Sequence, residues 1–279
     1  MARFIALLAL IVTPLAHAGD SAQPCGDDII AAVARHANVT GKVVSQDREQ
    51  DGLLVAAACK TMPDEPDTTI AAMVFDTENR NHVSTNADEG NKNLQVIALV
   101  KAGKVIAANH SIVEEDAATA VDSNSYHIDT APYWLAPGVR AFGVVFFSTT
   151  EDGADCLDTY ANNELTLYLR EGDRLRPVFG TNLFGFVTIK GNSCNFDNDS
   201  KLDSANMTVA MGKLNHGFAD LILTAHVVRT ECKKNGEDDC PDTSQRIVHK
   251  VFKYNGKTYG IDMFRTFWYP VSCSVCNAM

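Results

Sequence analysis

Apolar positions fall into two regimes along this chain. In residues 25–37, CGDDIIAAVARHA, Ile29, Ile30, Val33 and Ala37 share one stripe at helical spacing. Asp27 and Asp28 stand where carboxylates meet the unpaired N–H groups of a helix start. From Gly41 onward the helical period disappears, and short β-type runs separated by Asn- and Asp-rich turns replace it. LLVAAACKT at 53–61 and TTIAAMVFDT at 68–77 come first. SYHIDT at 125–130, VRAFGVVFF at 139–147, FGFVTIK at 184–190 and NMTVAM at 206–211 follow, and VRAFGVVFF, apolar on both faces, is expected to be the most buried.

Three hairpins carry similar lettering: ALVKAGKVIA at 98–107, LYLREGDRLRPV at 167–178 and KVFKYNGKTYG at 250–260. The last belongs to an expected three-stranded meander from Phe218 to Gly260. There FADLILTAHVV and RIVHKVFKY flank a polar loop, and Asn255-Gly256, the pair preferred by two-residue hairpin turns, leads into a further strand. About a dozen strands with one amino-terminal helix and no βαβ alternation predict a mostly β fold. Built from antiparallel hairpins, it is expected to be propeller-like or a β-sandwich. The Asn-rich stretch 191–205 is the place for any internal seam.

The first 18 residues change the picture of where the chain works. Arg3, the apolar run Phe4 to Val12, Pro14 and Ala16-His17-Ala18 read as a secretory signal, so residues 19–279 form the mature domain, periplasmic or secreted. The run is too short to span a bilayer, and no cysteine follows the cleavage site to carry a lipid. Eight cysteines in the exported part, Cys25, Cys59, Cys156, Cys194, Cys232, Cys240, Cys273 and Cys276, favour disulfides. Pairing neighbours along the chain gives 25 with 59, 156 with 194, 232 with 240 and 273 with 276. The net charge of −11 repels nucleic acid and anionic lipid, and draws in a basic secreted or periplasmic protein or a divalent cation.

Candidate chemistry is sparse. Asn195, Asp197, Asp199 and Asp203 fall at alternating positions of a calcium-type loop, although Ser200 and Asn206 replace the usual Gly and bidentate Glu. Cys273-Ser-Val-Cys276 lacks the following helix that would lower a thiol pKa, which leaves a structural bridge. Histidines 36, 82, 110, 127, 216, 226 and 249 form no metal motif. His127 and Asp129 share a strand face, and His226 and His249 lie in strands expected to pair. No nucleophile elbow or phosphate loop is present, and Glu114, Glu115, Asp116, Glu151 and Asp152 read as solvated loop charges. The Phe264, Phe267, Trp268 and Tyr269 cluster reads as core. Tyr133 and Trp134, between Pro132 and Pro137, read as a presented contact loop.

One stretch has a family likeness. Gly217-Phe-Ala-Asp220-Leu221 followed by an apolar strand resembles the start of FG-GAP-type propeller repeats, and KYNGKTYG looks like an ending common in exported bacterial β proteins. The likeness covers residues 206–262, with an echo in ELTLYLREGDRLRPV. It implies a propeller-type fold and, for some such proteins, immunity or inhibition directed at cell-wall-cleaving toxins. Gly212, Leu214 and His216 stand where the family places its calcium ligands, so Asp220 alone remains and is expected to cap a turn. The function expected from all this is an exported, non-enzymatic binding protein, an immunity protein or inhibitor of a basic secreted hydrolase that requires no cofactor. The alternatives are an envelope hydrolase using scattered carboxylates or His127, and a calcium-stabilised structural or sugar-binding β protein.

Overall fold

Apolar residues that alternate on both faces of a strand need a covering layer on each side, and that requirement organises the molecule. The computed structural model describes residues 23–41, 53–77, 91–116, 119–149, 157–191, 199–233 and 240–269. Helix α1 (Asp27–His36) carries Asp27 and Asp28 in its first turn and Arg35 and His36 in its last, each sign complementing the helix dipole. Its Ala32, Val33 and Ala34 are buried against one face of the first strand layer.

That layer is a meander of β1 (Leu54–Met62), β2 (Glu65–Phe75), β3 (Lys92–Lys101) and β4 (Lys104–Glu114). Ala102 and Gly103 both take positive φ, which makes the β3–β4 link the two-residue turn that matches strand twist. Ala71, Met73 and Phe75 face α1, while Ile70, Ala72 and Val74 face the next layer. Each of the larger side chains, Ile70, Met73, Val74 and Phe75, contributes about 1.5 to 3 kcal/mol.

The second layer holds β5 (Tyr126–Ala136), β6 (Val139–Phe146), β7 (Thr159–Glu171) and β8 (Arg174–Lys190). Phe142, Val144 and Tyr168 point to the β1–β4 layer, and Ala141, Leu165, Leu167 and Leu169 point the other way. The third layer, β9 (Ser200–Asn215), β10 (Phe218–Cys232) and β11 (Asp242–Phe252), covers that second face through Ala205, Met207, Leu221, Leu223, Ala225 and Val227. β8 joins all three layers. It meets β4 in parallel at Ala108–Arg174, pairs with β7 along most of its length, and from Phe184 onward pairs with β9.

The mostly β class, the single helix and the antiparallel hairpins are as the sequence predicts. The strands form one hydrogen-bonded sheet in stacked layers, an eight-strand path from β1 to β5 with β9, β10 and β11 branching from β8, not the separate blades a propeller requires. Two disulfides lie in the described residues, Cys25–Cys59 and Cys232–Cys240, both as expected. Cys156, Cys194, Cys273 and Cys276 lie outside them, as do residues 1–18 and residues 192–198 of the expected seam; β9 pairs with β10 from Ser200 and with β8 from Lys201.

Two expectations are corrected. The meander at the carboxyl end is β9–β10–β11, turning at His216-Gly217, where both residues take positive φ. After Asn255-Gly256 no third antiparallel strand forms. The Asn255 side chain accepts from the N–H groups of Lys257 and Thr258, which widens the turn, and β12 (Gly260–Ile261) then pairs in parallel with β8. β6 is also not the most buried strand: its ends are half-exposed, whereas β2 is buried continuously from Ile70 to Phe75.

Candidate functional site

After their single shared bridge β4 and β8 diverge, and the open end of the core between the first two layers becomes a cleft of about 290 Å3. Its walls are Tyr126 and Phe146, with ring centroids 5.3 Å apart, together with Tyr168, Ile112 and Val113. Gln95 reaches in from β3. Its Nε2 donates to Tyr126 Oη at 2.6 Å, and its Oε1 accepts from Ser111 Oγ at 2.7 Å. This chain of donors fixes the amide and the phenol in one arrangement.

Glu164 is the charged residue of the cleft. It lies on β7, opposite Phe146 of β6, in the same strand phase as Thr166 and Tyr168. Among the described residues no lysine, arginine or histidine lines the cleft. Burial raises the Glu164 carboxyl above its ordinary range, since a low-dielectric wall disfavours the charged form. Burial also pushes the Tyr168 phenol up to about 12, and raises Tyr126 further despite the hydrogen bond from Gln95. At neutral pH both phenols are therefore neutral donors. The cleft combines aromatic faces, neutral hydrogen-bonding groups and one poised carboxyl.

The residues singled out from the sequence lie elsewhere. Tyr133 is core, not a contact residue: it is buried on β5, and its Oη donates to Asp129 Oδ2 at 2.5 Å. Strand alternation sends only its neighbour Trp134 outward, 44% exposed, beneath the Arg140 guanidinium. Trp134 borders an apolar groove with Pro132, Pro137, Met211 and Leu214. Asp129 also accepts from the Ala131 N–H, so its carboxylate serves the β5 backbone and Tyr133.

Asp203 does not sit in a cation loop. It is fully buried in β9, where Arg229 bonds it through two nitrogens at 2.7 and 3.0 Å and Arg246 adds a third contact at 2.8 Å. Burial works to raise its pKa, but the two arginines outweigh this and hold it below the ordinary carboxylate range. Asp199, just before β9, lies 3.8 Å from Lys190, and Asn195 and Asp197 fall outside the described residues. Among the described residues no group of three His, Cys, Asp or Glu side chains is placed to hold a metal.

Glu115 is another correction. It is buried, accepting from Asn91 Nδ2, Asn93 Nδ2 and the Val121 N–H, so it organises two chain segments instead of facing water. His226 and His249 do not meet directly. His226 lies opposite Ile247, while Nδ1 of His249 is 2.8 Å from Thr224 Oγ1. Asp220 lies inside β10, not at its turn. Trp268 is buried in the core as expected, but Phe264 is 75% exposed.

Sequence reading passed over Glu164, Gln95 and Tyr126. A signal for the first was present in ELTLYL: Leu165, Leu167 and Leu169 mark one buried face, and Glu164 shares the opposite phase with the large ring of Tyr168. No protein-family model, curated protein or solved structure matches this chain.

Proposed function

We propose that this is an exported, non-enzymatic binding protein that holds a basic partner protein by taking one cationic side chain into the Glu164 cleft. The observation that carries the reading is a cleft walled by aromatic rings in which, among the described residues, Glu164 is the one carboxyl and no basic residue lines the wall. An ammonium or guanidinium group entering there meets the Glu164 carboxylate and the faces of Tyr126, Phe146 and Tyr168. Cation–π attraction adds about 0.5 to 2 kcal/mol as water is excluded. The net charge of −11 supplies long-range attraction for a basic partner. A hydrolase would need a second catalytic group, and among the described residues Glu164 is the only carboxyl in the lining, with no histidine or cysteine beside it. The partner class is a basic secreted hydrolase, which makes the protein an inhibitor or immunity protein of the cell envelope.

The experiment is calorimetry with short Lys- and Arg-containing peptides against the wild type and Glu164→Gln. Since burial favours the protonated carboxyl in the empty cleft, binding a cation releases a proton, and affinity grows as the pH rises through the Glu164 pKa. The substitution should weaken binding roughly tenfold or more and abolish both the proton release and most of the salt dependence. Equal affinity for the two proteins, or binding indifferent to salt, would sink the proposal.

A further inference from the structure

The same end of the β5–β8 layer has a second concavity on its other side, a groove of about 770 Å3 near the β1–β5 boundary. β1 and β5 share no strand ladder; across the gap the Lys60 ammonium of β1 donates to Ile128 O at 3.2 Å. Gln23 splices them: its backbone O accepts from the Cys59 N–H, and its side chain both donates to Ile128 O and accepts from the Ile128 N–H. Cys25–Cys59 anchors this splice. We propose that the groove is a binding site for an uncharged oligosaccharide, on the other side of Tyr126 from the Glu164 cleft, which that residue also lines.

Three observations lead there. Among the described residues the lining contains no Asp, Glu, Lys or Arg, although these make up 21% of the chain. What it offers is the amides of Asn124 and Asn163 and the hydroxyl of Ser123, beside the imidazole of His127. Amides and hydroxyls donate and accept at once, which matches sugar hydroxyls and gives an ionic ligand nothing to pair with. Second, Phe147 is 45% exposed at the groove. An exposed ring there can pack on the C–H face of a pyranose and removes its apolar area from water.

Third, Asn163 sits at φ +57° within β7, a conformation that a strand residue adopts only when its surroundings impose it. The buried Asn162 imposes it. Its Oδ1 accepts from the N–H groups of Asn163 and Ser148, and its Nδ2 donates to Ser148 O. The distortion therefore places an amide on the groove wall at a cost the neighbouring network bears. A peptide is the less suitable occupant, because adding a strand needs a free backbone edge, and at Ile128 both the N–H and the carbonyl are engaged by Gln23.

The full mature protein should be applied to an array of neutral, sialylated and sulfated glycans, and to a set of uncharged peptides. The tightest neutral oligosaccharide would then be titrated by calorimetry into the wild type, Phe147→Ala, Asn163→Gly and Glu164→Gln. Glycine keeps the positive φ, and Phe147 is exposed enough to leave folding intact, which unchanged melting temperatures would verify. We expect neutral glycans to be retained, affinity to be equal at low and high salt, and Phe147→Ala and Asn163→Gly each to weaken it roughly tenfold. Glu164→Gln should leave it unchanged. Retention of no glycan, of anionic glycans alone or of peptides in preference overturns the assignment. So does wild-type affinity in both groove variants, or loss in Glu164→Gln.

Discussion

The amino-terminal layer, β1–β4, and the carboxyl-terminal layer, β9–β11, are both antiparallel meanders, yet they are held by different forces. The first is covered on both faces, by α1 and by the β5–β8 layer, and β2 is buried continuously over its second half. Among the described residues the third is covered on one face. β10 alternates buried and half-buried positions, and β11 is exposed along most of its length. A strand with two apolar faces needs nothing else to fix its place. A one-sided layer also has a polar problem to solve, and here the solution is a carboxylate, Asp203, held under Arg229 of the adjacent β10 and Arg246 of β11 beyond it.

The contrast breaks most sharply at one residue in each layer. Phe75→Ala removes a fully buried ring from between α1 and β2 and should cost about 4 kcal/mol. Ile247→Ala on β11, where the side chain is 59% exposed, should change stability by less than about 0.5 kcal/mol. Chemical denaturation of the two variants measures this directly. Comparable losses would mean that β11 is covered in solution by something else.

The next largest effect belongs to Asp203→Asn. Removing the charge leaves two guanidiniums without their counter-ion beside a buried amide, at a cost of about 3 kcal/mol. The wild type should show a matching acid sensitivity. The folded pKa of Asp203 is depressed, so the stabilisation is complete above the ordinary Asp value of about 3.9 and is lost as the pH falls through the lowered folded value. Asp203→Asn should flatten that part of the stability–pH curve, which urea denaturation at a series of pH values would follow.

This residue also shows where sequence reading stops. Oxygen-bearing side chains at alternate positions describe a cation loop, but they equally describe one face of a strand, and the two share a period of two. For Asp203 the strand is what forms, and its partners, 26 and 43 residues away, are invisible to local spacing. Glu115 hides in the same way, since its partners lie on both sides of it in the chain. The paired hairpin at Ala102-Gly103 was legible because turn and strands are contiguous. Asn255-Gly256 misled because the Asn255 side chain captures the following amides, and Thr258 Oγ1 then bonds Val178 O in β8. Helix and strand identity are local properties. The cleft is not: it exists only because β4 and β8 part after one bridge.

Glu164 sharpens the comparison with the smallest effect, because its pH dependence has the opposite sign to that of Asp203. Burial raises its pKa, so the folded protein holds the proton more tightly than the unfolded chain does. Its stabilising contribution is therefore complete below the ordinary Glu value of about 4.3 and is lost as the pH rises through the raised folded value. Glutamine keeps the neutral shape at every pH. Glu164→Gln should match the wild type in acid and become the more stable protein above the raised pKa, by no more than about 1 kcal/mol because the site is partly hydrated. A variant that is less stable than the wild type at pH values above neutrality would show that the carboxylate has a cationic partner in the free protein, and the cleft would then not be vacant for one from outside.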